Sequence, residues 1–148
     1  MADPALLAPL APSLIDLDAT FLPVALMRQI TRVTTVATES ITGEVDIGPG
    51  HWVYAQHFPG DPIFPGTLII EAAGQLIALF AWAQGQRGRP RLVRTSAEFR
   101  HPVSHTTSKL RLSAQVRSKR NIHFGTVDVH AGEDHVARVE AVLAVIAA

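Results

Sequence analysis

Apolar and polar positions alternate most cleanly between Lys109 and Val116. There Lys109, Arg111, Ser113 and Gln115 take turns with Leu110, Leu112, Ala114 and Val116. A period of two is that of a strand with one buried face, and it predicts a strand over Ser108 to Arg120. Arg91 to His101, Ile122 to His130 and His135 to Ile146 read as its neighbours, with Gly132-Glu133-Asp134 turning the chain between the last two. The final run, Val136 to Ala147, is rich in alanine and is also compatible with helix. Thr67 to Ala83 behaves differently. It is apolar on nearly all sides, starts at Pro65-Gly66 and stops at Gly85, Gly88 and Pro90, so it reads as a helix wrapped by other structure. Upstream, Ile30 to Val45 is rich in Thr, Val and Ile and favours extended backbone, with Gly43 marking a bulge or turn. Ile47 to Gly50 reads as a loop, His51 to Gln56 as a short strand, and Ser13 to Asp18 as a short helix with Ser13 as N-cap.

One long buried helix, with strands before it and an antiparallel meander after it, fits a single curled sheet holding that helix. The expected class is therefore α+β. At 148 residues the default is one domain covering 1–148, with the Ala/Leu/Pro-rich stretch 1–12 as a flexible arm. That arm lacks a basic start and is broken by Pro4, Pro9 and Pro12, unlike a signal peptide.

Composition narrows the function. With 47% hydrophobic residues against 18% charged, the chain can fill a core. A net charge of zero gives no global pull towards nucleic acid or a membrane surface. The absence of cysteine removes thiol catalysis, disulfides and thiolate metal sites, and fits the cytoplasm. The long apolar stretch contains Glu71 and Gln75 and is slightly short for a membrane span.

The chemistry concentrates between Gln56 and Gln75, in Q-H-F-P-G-D-P-I-F-P-G-T-L-I-I-E-A-A-G-Q. His57 precedes a loop stiffened by Pro59, Pro62 and Pro65, of the kind that holds a side chain still. Glu71 is the only acid in the helix that follows. A carboxyl in an apolar helix pairs with a cation or keeps its proton. No Lys or Arg lies between Gln56 and Gln86, which favours the second state, with the pKa raised by desolvation. Gln75, four residues on, shares the face of Glu71 and is placed to orient it. The free N–H groups at Gly66 open the helix and can hold a thioester carbonyl as it becomes an enolate. Base, acid and oxyanion site together suit a β-elimination of water.

On these residues the chain resembles the 3-hydroxyacyl-thioester dehydratases of fatty-acid and polyketide synthesis, which have the hot-dog fold. The matching core is H-F-P-G-D-P-I-F-P-G-T-L, from His57 to Leu68, followed by Glu71 and Gln75-Leu76. Trp52, Phe80, Trp82, the Gly85/Gly88 turn and A-E-F-R-H-P-V from Ala97 to Val103 are similar to the 3-hydroxydecanoyl-type branch. The resemblance implies a homodimer with sheets paired edge to edge and active sites at the interface, where the histidine of one subunit faces the acid of the other. It implies His57 as the base at C2, Glu71 as the acid at the C3 hydroxyl and the Gly66 N–H on the thioester oxygen. The substrate arrives on acyl carrier protein, or alternatively on coenzyme A, and no dissociable cofactor is needed. Three departures stand out. Glu71 replaces the aspartate of the isomerising branch and is similar to dehydration-only relatives. Val24 to Gln29 lacks the usual pattern, and Ser104-His105-Thr106 replaces a common Pro-Gly-Asp turn.

Two rival readings keep the fold: a hot-dog thioesterase with Glu71 activating water, and a silent acyl-binding subunit. Other constellations are weaker. His101 and His105 have a helical interval, but Pro102 and Ser104 break the helix face, so no metal is expected. No aromatics interleave with the basic residues, which argues against nucleic acid. Two basic groups, Lys109/Arg111/Arg117/Lys119/Arg120 and Arg87/Arg89/Arg91/Arg94, compete as docking points for an acidic carrier protein. The ordinary alternative is a solvated strand face.

Overall fold

The computed structural model describes residues 10–148. Six strands form one antiparallel sheet: β1 (Arg32–Val36), β2 (Ser40–Asp46), β3 (Arg89–Phe99), β4 (Lys109–Lys119), β5 (Ile122–Ala131) and β6 (Asp134–Ile146). Their spatial order is β1-β2-β4-β5-β6-β3, so β1 and β3 are the two edges. The helix α1 (Gly66–Ala83) packs across β2, β4, β6 and their neighbours. This is the hot-dog arrangement. By length and composition α1 could cross a membrane, but 56% of it is buried against the rest of the chain.

The alternation in β4 is realised residue by residue, with Leu110, Leu112, Ala114 and Val116 buried and Lys109, Arg111, Gln115 and Arg117 exposed. The alanine-rich run is a strand: Val139, Ala141 and Leu143 of β6 face α1 while Arg138 and Glu140 face away. Tight approach of helix and sheet depends on two glycines. A Cβ at Gly43 would lie 3.0 Å from Leu76 Cδ1, and one at Gly125 would lie 2.4 Å from Ile77 Cδ1. At its C-terminus α1 closes with Gly85 in the left-handed region (φ 98°). Its N–H donates to Trp82 O, and the N–H of Gln86 donates to Ala81 O, which satisfies the last carbonyls. Pro90 does not end the helix; it sits within edge strand β3, where a missing N–H is tolerated.

Four expectations change. Ile30 to Val45 is a hairpin rather than one extended run, and the bulge lies in β1, between Val33 and Thr35, opposite Gly43. His51 to Gln56 is a 3₁₀ turn over Trp52–Ala55, because His51 Nδ1 accepts from the Val53 N–H (3.2 Å) and Tyr54 Oη donates to Ile47 O (3.1 Å). Ser13 to Asp18 contains 3₁₀ turns at Pro12–Leu14 and Leu17–Ala19. Ser13 lies inside the first, and Asp16 caps the second. Most of the expected arm falls outside the described residues, and of its last three residues Leu10 packs against the core.

A buried histidine braces the far end of the sheet. His123 is 1% exposed, with Nδ1 2.7 Å from Ser118 Oγ and Nε2 2.7 Å from Gln86 Oε1. Gln86 Nε2 donates to Arg120 O, so its Oε1 must accept from His123 Nε2–H and Nδ1 accepts from Ser118. Burial lowers the His123 pKa below its ordinary 6.5.

Two outcomes are expected. Gly125→Val should cost about 1–3 kcal/mol through overpacking against Ile77, and adding Ile77→Ala should recover part of it in a double-mutant cycle read by urea melts. Below pH 6.5 the unfolded chain protonates His123 before the native one does, so stability should fall as pH drops from 7.5 to 5.5. That slope should be shallower in His123→Gln, and an unchanged slope would remove the assignment.

Candidate active site

The segment between the 3₁₀ turn and α1 is pinned on both sides of His57. Its N–H donates to Val53 O (2.8 Å), and its carbonyl accepts from the Ile63 N–H (3.0 Å). Phe58 and Asp61 exchange backbone hydrogen bonds of 2.8 Å around Pro59-Gly60, with Gly60 at φ 81°. Ile63 bridges to Ser104, and the Phe64 N–H donates to Val103 O, which ties the loop to the β3–β4 connection. His57 Nδ1 lies 2.9 Å from Ile63 O. A carbonyl only accepts, so Nδ1 carries a hydrogen, and in the neutral ring the lone pair is then on Nε2. The imidazole is half-buried and stacked on Phe58 at 3.8 Å between ring centroids, with Nε2 left without a hydrogen-bond partner among the described residues.

Glu71 sits one and a half turns into α1. Its Oε2 accepts from Gln75 Nε2 at 2.9 Å. Gln75 is 2% exposed and uses its whole hydrogen-bonding capacity. Oε1 accepts from the N–H groups of Gln29 (2.8 Å) and Ile30 (3.2 Å), and Nε2 also donates to Met27 O (2.8 Å). The two backbone donors fix which end of the amide faces Glu71. Sequence proximity pointed to the Gln75–Glu71 pair, whereas the bonds to Gln29, Ile30 and Met27 span 45 to 48 residues and had no local signal.

Glu71 opens into a groove of about 380 Å³, walled by Leu22 and Pro23 on one side and by Pro90, Arg91 and Leu92 of β3 on the other. The stretch without Lys or Arg around Glu71 thus gains a cation in the groove wall from a distant strand, although no ion pair between Arg91 and Glu71 is among those formed by the described residues. The groove exists because α1 is not fully wrapped: Ile70, Glu71, Gly74, Ala78 and Trp82 form a half-exposed stripe. His57 does not line this groove, so the single chain does not bring the two groups into one cavity.

Gly66 is the first residue of α1, after Pro65. Its N–H has no acceptor among the hydrogen bonds of the described residues, as expected in a first turn. A Cβ there would lie 2.8 Å from the Phe99 ring, so this half-exposed side chain would have to shift for any larger residue. The basic groups also resolve. Pairing places Arg117 in line with Phe124, Val142 and Arg94, and Lys119 in line with Ile122, Ala144 and Arg91. The two basic groups therefore meet at one end of the sheet. Lys109 lies at the other end, 3.1 Å from Glu44, and Arg87 lies over Trp82. His101 and His105 occupy the β3–β4 connection, and no cluster of three His, Asp or Glu suited to a metal occurs among the described residues.

A helix cradled in this sheet, with its acid on an open stripe, defines a hot-dog domain. Comparison with solved structures agrees: the dehydratase heterocomplex ApeI:P from Xenorhabdus doucetiae aligns with a TM-score of 0.73 at 14% identity, over 89% of this chain and 91% of that one. AziG from S. sahachiroi aligns at 0.63 and 16% identity, over 79% and 91%, and the thioesterase HI1161 from Haemophilus influenzae at 0.62 and 16%, over 78% of each chain. At these identities the likeness is one of fold. The chain belongs to the FabA-like domain family, whose profile matches residues 22–140.

Because Gln75 is the acceptor among the described residues for two buried N–H groups, Gln75→Met should cost about 2–5 kcal/mol, measured by urea denaturation. A stability within 0.5 kcal/mol of the parent, a rough error of such melts, would show that the segment finds other acceptors.

Proposed function

We propose that the protein is a dehydratase that converts a 3-hydroxyacyl thioester, carried by acyl carrier protein, into a trans-2-enoyl thioester. The observation that carries this reading is the His57 ring, whose Nδ1 is committed to Ile63 O and whose Nε2 is left as a base on a braced loop. Elimination needs such a base for the C2 proton, together with an acid for the departing hydroxyl. Nε2 removes the proton, the electron pair moves into the thioester and its oxygen is held by the Gly66 N–H. The enolate then expels the C3 hydroxyl as water with a proton from Glu71. One C–H and one C–O bond break, one C=C bond forms, and no cofactor enters.

His57 and Glu71 must meet for this to work, and a second copy of the chain supplies the route. Edge strand β3 is long, largely exposed and apolar at Leu92, Val93 and Phe99, the profile of a strand that expects a partner. It also walls the Glu71 groove, so a homodimer joined through β3 would set the partner's loop against that groove. Arg91, Arg94, Arg117 and Lys119 are the proposed docking points for the acidic carrier. The setting is the cytoplasm, and the pathway fatty-acid or polyketide synthesis. Glutamate at position 71 goes with dehydration without isomerisation.

A second reading, a hot-dog thioesterase, draws on thioesterases of the same fold and on Glu71 facing an apolar groove, where it could activate water. Short 3-hydroxyacyl thioesters incubated with the protein and followed by mass distinguish the two. Loss of water is expected, and His57→Ala and Glu71→Ala should each slow it by about 10²–10⁴-fold. Release of free thiol without enoyl product would establish the thioesterase. Tight binding with no turnover would leave an acyl-binding subunit.

A further inference from the structure

The open stripe of α1 changes character along its length. Glu71 stands at its head, Gly74 and Ala78 follow at helical spacing, and Trp82 comes one turn later. Packing does not demand the small residue at 74: an added Cβ would meet nothing nearer than Leu143 Cδ1, at 3.9 Å. The space above Gly74 and Ala78 is therefore a trough, about 10 Å long from Glu71 to Ala78 at the helical rise. Every polar atom of Gln75 is already bonded within the chain, so beyond Glu71 the polar side chain in its lining still open to a ligand is Arg91, in the β3 wall.

The trough stops at Phe21. That ring meets Trp82 edge-on, with centroids 6.2 Å apart at 69°. Beyond it lies a cavity of only about 10 Å³, which shares Phe21, Leu22, Ala78 and Pro90 with the trough and is backed by Trp82 and Val145. The segment that carries Phe21, whose ring is 45% exposed, is anchored, and Trp82 is covered. Next to Phe21, the Leu22 N–H donates to Thr20 Oγ1, which itself donates to Leu17 O, and the Leu22 side chain is buried. Trp82 is covered by the Arg87 guanidinium, 4.5 Å from its ring centre.

We propose that Phe21 and Trp82 form an end wall that sets the longest linear aliphatic chain the trough accepts, with Gly74 and Ala78 as its floor. The proposal rests on the reading above only in placing the thioester end of that chain at Glu71. It assigns Phe21 a specificity role outside the residues that touch the reacting atoms.

The test is binding of S-alkyl pantetheine thioethers of graded length, which neither dehydrate nor hydrolyse, measured by calorimetry beside turnover of 3-hydroxyacyl thioesters of the same lengths. For the parent chain, affinity should rise with length and then fall about tenfold or more at the first chain too long for the wall. Phe21→Ala should move that limit to longer chains, and Ala78→Leu should move it to shorter ones. A limit unmoved by Phe21→Ala, or no limit in the parent at any length, overturns the wall. Absence of dehydration at every length, with the binding limit still shifting in Phe21→Ala, supports the wall and overturns the dehydratase reading instead.

Discussion

The arrangement depends first on the side chain of Gln75. Its amide carbonyl is the one acceptor among the described residues for two consecutive buried N–H groups, Gln29 and Ile30, at the point where the chain enters the sheet. Its NH₂ group is shared between Met27 O and Glu71 Oε2. Folding of the N-terminal segment across α1 and orientation of the acid are therefore one event. A buried amide with every donor and acceptor matched has no second orientation of similar energy, because turning it over would place NH₂ against two N–H groups. The acid inherits that rigidity. Gln29 completes the anchor, with its Nε2 donating to Leu26 O and Met27 O.

Coverage of α1 is the second constraint, and it is uneven. Where the sheet must come close, side chains are removed from the strands: Gly43 under Leu76 and Gly125 under Ile77. On the opposite stripe the small residues lie on the helix, at Gly74 and Ala78, and no strand of this chain fills the space they leave. The same device, glycine or alanine at a helix–sheet contact, thus builds a dense core on one side and an apolar trough on the other. What decides between them is whether a bulky partner arrives opposite.

Much of this was legible in the chain itself. Strict alternation in β4 fits a half-buried strand, and the long apolar stretch between Pro65 and Gly85, interrupted by Glu71 and Gln75, read better as a core helix than as a membrane span. The Ala-rich β6 was ambiguous because alanine suits a helix; tertiary pairing with β5 and β3 decided for the strand. The 3₁₀ turn at Trp52–Ala55 could not be seen, since it is held by the imidazole of His51 and the hydroxyl of Tyr54 rather than by backbone preference. The β1–β2 hairpin was hidden for another reason: its turn, Ala37-Thr38-Glu39, contains none of the Gly, Pro or Asn that usually mark one. At the candidate site, His57, Gly66, Glu71 and Gln75 were readable because they share one short motif. Phe21, Arg91 and Gln29 reach the same region from remote segments, and periodicity carries no information about such meetings.

His57 and Glu71 are separated by a difference in how each is held. The histidine belongs to a loop braced against the β3–β4 connection through Phe64 N–H and Val103 O, whereas the acid belongs to the helix and the N-terminal segment. His57 does not line the groove into which Glu71 opens, so the proposed elimination calls for an additional surface to close the gap. The surface adjoining the acid is β3, an edge whose backbone groups are unpaired on one side and whose apolar side chains are half in water. Covering it would remove water from the groove, strengthen every dipole aimed into it and bring a second loop into reach. On the proposed dehydratase reading, a site divided in this way would be inert until assembly completed it, as suits an enolate that must be kept from bulk solvent.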